Sequence, residues 1–72
     1  MREMIVQALR EYYRGEIAKN KANVEIFLEN NAGVGDHPDV IETIDKIIGV
    51  IAEYDDKLIA LDAHFNTTAP RI

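Results

Sequence analysis

The chain contains no cysteine and no serine, two prolines and four glycines. Without cysteine there is no disulfide staple and no thiolate ligand for a metal. Without serine or cysteine the usual nucleophiles of covalent acyl transfer are missing as well. Long hydrophobic runs are also absent. The opening stretch MREMIVQALREYY has charges at Arg2 and Glu3, and its apolar run extends only from Met4 to Val6. A secretory leader needs roughly 7–15 apolar residues in a row, and a membrane-spanning helix about 20. The expectation is therefore a cytoplasmic protein with no membrane partner, in which the glycosylation-like triplet Asn66-Thr67-Thr68 is accidental. Basic charge is scarce. Eight Lys and Arg stand against thirteen Asp and Glu, for a net charge of −5. That balance argues against binding nucleic acid by neutralising phosphates.

What is present points to helices. The length of 72 residues admits one small domain, and a hydrophobic fraction of 47% is too high for a disordered chain. Turn-forming residues concentrate in Asn30-Asn31-Ala32-Gly33-Val34-Gly35-Asp36-His37-Pro38. Both flanks are rich in Ala, Leu, Ile, Glu and Lys and show no strand-like alternation. The reading is an all-α antiparallel hairpin over residues 1–65. Its first helix covers about 2–30, its loop about 31–36 and its second helix about 37–65; residues 66–72, with Pro70, form a tail. Gly33 is placed as the residue that stops the first helix. Asp36 is placed as the N-cap of the second helix, with Asp39 at the third helical position as in a capping box and Pro38 in the first turn.

The second helix carries a regular apolar seam. Val40, Ile44, Ile47, Ile51, Tyr54, Leu58, Leu61 and Phe65 alternate steps of four and three, the heptad spacing of left-handed bundle packing. Ile41 and Ile48 widen it on one side, and Asp55 and Asp62 continue that flank at the same interval. The first helix clusters Ile5, Val6, Leu9, Tyr13, Ile17, Asn20, Val24, Phe27 and Leu28 on one face. A second, weaker face holds Met4, Ala8, Tyr12, Gly15, Ala22 and Ile26. Folding the hairpin about Val34 brings Tyr13 near Tyr54 and Asp55, and Val24 near Ile44. A tyrosine hydroxyl bonded to the flanking carboxylate is the expected arrangement there. Asn20 is a candidate register residue, because an Asn within an apolar seam commonly fixes register and oligomeric state. Gly15 and Gly49 suggest close helix approach or a slight bend.

Two apolar faces on one helix call for two neighbours, and a hairpin supplies one. A chain this short without disulfides also needs good packing or a partner. Pairing of two hairpins into a four-helix homodimer meets both requirements. Residues 1–31 balance five basic against five acidic groups, so the whole net charge of −5 lies beyond them. Arg10, Arg14 and Lys21 run along one side of the first helix, where acids of a second helix such as Glu42, Glu53 or Asp56 are suitable partners. The pairs Glu42–Lys46 and Glu53–Lys57 have the favourable spacing within one helix.

Motifs that carry chemistry are weak. Gly33-Val34-Gly35 precedes a helix, but no Lys follows it, and Asp36 and Asp39 repel a phosphate. His37 beside Asp36 and Asp39 reads as cap and turn, not as a metal site. His64 suits the negative end of the second helix. Neither histidine has a Glu three residues before it, which excludes a di-iron carboxylate bundle. No cofactor, no metal and no enzymatic activity are expected.

The stretch Glu16 to Ile48, EIAKNKANVEIFLENNAGVGDHPDVIETIDKII, resembles a family of short helical proteins of unknown function from marine tailed cyanophages and ocean metagenomes. The likeness is carried by the run Ile17 to Val24, by the loop Gly33 to Asp39 and by the acidic helix after it, and it extends over roughly residues 1–62. It implies no activity and transfers no catalytic residue. It implies a viral product acting in a bacterial cytoplasm. The functional expectation is a self-associating interaction or adaptor module. The alternative is an acidic inhibitor or decoy that binds a basic host or phage protein.

Overall fold

The computed structural model describes residues 1–29 and 39–65. It contains two α-helices, α1 over Arg2–Glu29 and α2 over Val40–Phe65, packed against each other. At 1.5 Å per residue, the 28 residues of α1 extend about 42 Å. The helices run antiparallel. Arg2 Nη1 donates to the Phe65 carbonyl at 3.1 Å, and Arg10 meets Asp62 at 2.6 Å. The Tyr13 and Tyr54 rings lie 5.8 Å apart further along.

Local chemistry accounts for the helix starts. The Met1 carbonyl accepts from Ile5 N–H at 3.1 Å, and Glu3 in the first turn complements the helix dipole. At the entry to α2, the Asp39 carbonyl accepts from Thr43 N–H at 2.8 Å. Asp39 therefore stands in a turn just before the helix, at the N-cap, and not at the third helical position. The roles assigned to Asp36, Pro38 and Gly33, the His37 reading, the 31–36 loop and the 66–72 tail lie outside the described residues.

The contact face of α1 has the same rhythm as the seam of α2. Val6, Arg10, Tyr13, Ile17, Asn20, Val24 and Phe27 alternate steps of four and three, and all are buried or half-buried. This differs from the clustering expected at 100° per residue. Ile5, Leu9 and Leu28 turn outward, at 53%, 36% and 53% exposure, and Arg10 takes a place in the seam. The reason is the period. Residues facing a neighbouring helix over three heptads follow 3.5 residues per turn, whereas a straight-helix projection drifts away from that line.

On α2, Leu61 is buried, and Val40, Ile44, Ile47, Ile51, Tyr54 and Leu58 are half-buried. Phe65 departs from the seam and is 53% exposed. Among the described residues, Arg2 in the first turn of α1 engages its backbone carbonyl. Val24 shares a small dimple with Ile48 and Ile51.

The glycines are not packing devices within the hairpin. A Cβ placed on Gly15 or on Gly49 meets nothing within 4 Å. Close approach of α1 and α2 is therefore not their reason.

Candidate interaction surface

Burial is thin. Val24 and Leu61 are the buried hydrophobic side chains among the described residues, and Asn20 is the buried polar one. A fully buried core residue ordinarily touches neighbours on all sides, which a single layer of two helices cannot provide. Large apolar groups are left outside instead. Met4, Tyr12, Ile26, Ile41 and Ile59 are each more than half exposed.

Part of the exposed apolar surface forms a groove at the end of the hairpin where α1 begins and α2 finishes. Ile5, Val6 and Leu9 of α1 and Ala60, Leu61 and Phe65 of α2 line a groove of 660 Å³. Arg2 and Lys57 supply its charged lining. The groove follows from the shift in period. Once Ile5 and Leu9 leave the contact face, they form one wall, and the side of α2 carrying Ala60 forms the other.

An aromatic cluster borders this groove. Tyr54 packs against Tyr13 at 5.8 Å and edge-on against Tyr12 at 6.1 Å, and the rings of Tyr12 and Tyr13 lie 5.9 Å apart. Offset and edge-to-face contacts of this kind are the favourable geometries for aromatic quadrupoles. The Lys57 ammonium stands 4.6 Å from the centre of the Tyr54 ring and 5.9 Å from that of Tyr13, within the range of cation–π attraction. The same ammonium pairs with Glu53 at 3.0 Å, one turn back on α2. Hydrogen bonding to Glu53 raises the Lys57 pKa above its ordinary value. The Tyr54 phenol is also pushed up, first by hydrogen bonding with Tyr12 and then by burial. Tyr12 lies edge-on to Tyr54, and no hydrogen bond from a tyrosine hydroxyl to Asp55 occurs among the described residues.

Asn20 settles its own polarity. Its Nδ2 donates to the Glu16 carbonyl one turn back in α1 at 2.7 Å. Its apolar surroundings and its seam position are those of a register residue, but this hydrogen bond stays within one helix.

Among the charged residues, Arg10 meets Asp62, and its side chain is only 15% exposed. Gln7 Oε1 accepts a further hydrogen bond from Arg10 at 2.7 Å. The Arg10 partner is therefore neither Glu42, Glu53 nor Asp56. A basic side chain with a long aliphatic stem fills a seam position and carries its head to the edge. Sequence reasoning sorted Arg10 by charge. The seven-residue interval from Val6 through Tyr13 and Asn20 to Phe27 was the signal that would have placed it. His64 is exposed in the last turn of α2, beside Phe65.

No group of three or more His, Asp or Glu side chains suited to a metal ion occurs among the described residues. No described helix is long and apolar enough to cross a membrane. Among the described residues the geometry leaves open an apolar groove edged by aromatic rings. No protein-family model, no curated protein and no solved structure matches the chain.

Proposed function

We propose that the chain is a self-associating helical module that acts by association and not by catalysis, with two hairpins pairing into an antiparallel four-helix homodimer. The observation that carries this reading is the meagre interior. Two buried hydrophobic side chains serve two helices of 28 and 26 residues, while large apolar groups line an open groove. Helices of this length draw most of their stability from packing an apolar face. A second hairpin gives those faces something to pack on, and twofold dimers are the commonest oligomers. The resemblance over Glu16 to Ile48 extends the proposal to a phage product working in the cytoplasm of its host. Sedimentation at micromolar concentration tests it. The expected result is a single species of twice the chain mass, and a well-folded monomer refutes it.

A second reading rests on a different surface. Glu42, Asp45, Asp55 and Asp56 of α2 are all exposed. An acidic helix face of this kind suits a basic protein partner, with the chain acting as inhibitor or decoy. Such a partner is captured from a host lysate at low salt and lost at high salt.

A further inference from the structure

We draw no further inference here: the strongest candidate, the apolar groove between the start of α1 and the end of α2, lined by Ile5, Leu9, Ala60 and Phe65 with Arg2 among them, carries nothing because nothing in the structure shows what covers it.

Discussion

Arg10 and Asp62, 52 residues apart in the chain, form a 2.6 Å ion pair across the two helices, with Arg10 in a seam that is, Asn20 apart, otherwise apolar or aromatic. The pair is asymmetric. The Arg10 side chain is 15% exposed and that of Asp62 is 48% exposed. Solvent screens the acid, so the expected loss from Asp62→Ala is about 1 kcal/mol or less. Arg10→Leu fills the same seam position with an apolar group and leaves Asp62 half-exposed to water, so it is expected to be neutral or stabilising. Urea unfolding of the two variants checks both signs. High salt should shrink the Asp62→Ala difference.

The Tyr54–Lys57 arrangement predicts loss of stability in alkali. Both groups hold their protons more tightly in the folded chain than at their ordinary values of 10.0 and 10.5. A raised folded pKa gives a contribution that is complete below the unfolded value and disappears as pH climbs through the folded one. Thermal midpoints should therefore change little from neutral to mildly alkaline pH and fall above about pH 10. Tyr12→Phe removes the first cause of the Tyr54 shift and should flatten the fall. Circular-dichroism melts across that range decide it.

The two helical glycines are open positions. Nothing stands within 4 Å of a Cβ at Gly15 or Gly49. Alanine should therefore stabilise the helix by about 0.5–1 kcal/mol at each. A drop in stability for Gly15→Ala, read from the urea midpoint, would mean that a partner approaches that face of α1 instead.

Asn20 should trade specificity for stability. Its amide is satisfied inside α1 by the Glu16 carbonyl, and replacing a buried polar group by an apolar one of similar size is often neutral or stabilising. Asn20→Leu is expected to hold or raise the urea midpoint and to spread the sedimentation profile over more than one species. One unchanged dimeric species from Asn20→Leu would end its role in register.

The sequence discloses these elements unequally. The seam of α2 is legible because its apolar residues, Val40 through Leu61, keep one period, so pattern and contact coincide. The helical class is legible for the same reason, and the meeting of Tyr13 with Tyr54 follows from the hairpin register alone. The face of α1 is less legible. Asn20 and Arg10 occupy contact positions with polar side chains, and Ile5, Leu9 and Leu28 are apolar yet turn outward. Hydrophobicity and contact part company there, and the groove arises from that disagreement. The Tyr12–Tyr54 contact was hidden for a further reason, since Tyr12 belongs to the weaker face of α1 and reaches around the helix edge. Asp39 was misplaced by a few residues, because two acids near the start of a helix offer two capping registers and only backbone geometry chooses between them.

The link from Arg2 to Phe65 joins residues 63 positions apart. A hairpin zips from its reversal outward, so contacts of this span close late and open early. The pole that carries the groove is therefore expected to fray first. Amide hydrogen exchange there should slow as protein concentration rises, whereas the amides around Val24 should respond less. Meeting a second copy would then be the last step of folding for that half of the molecule.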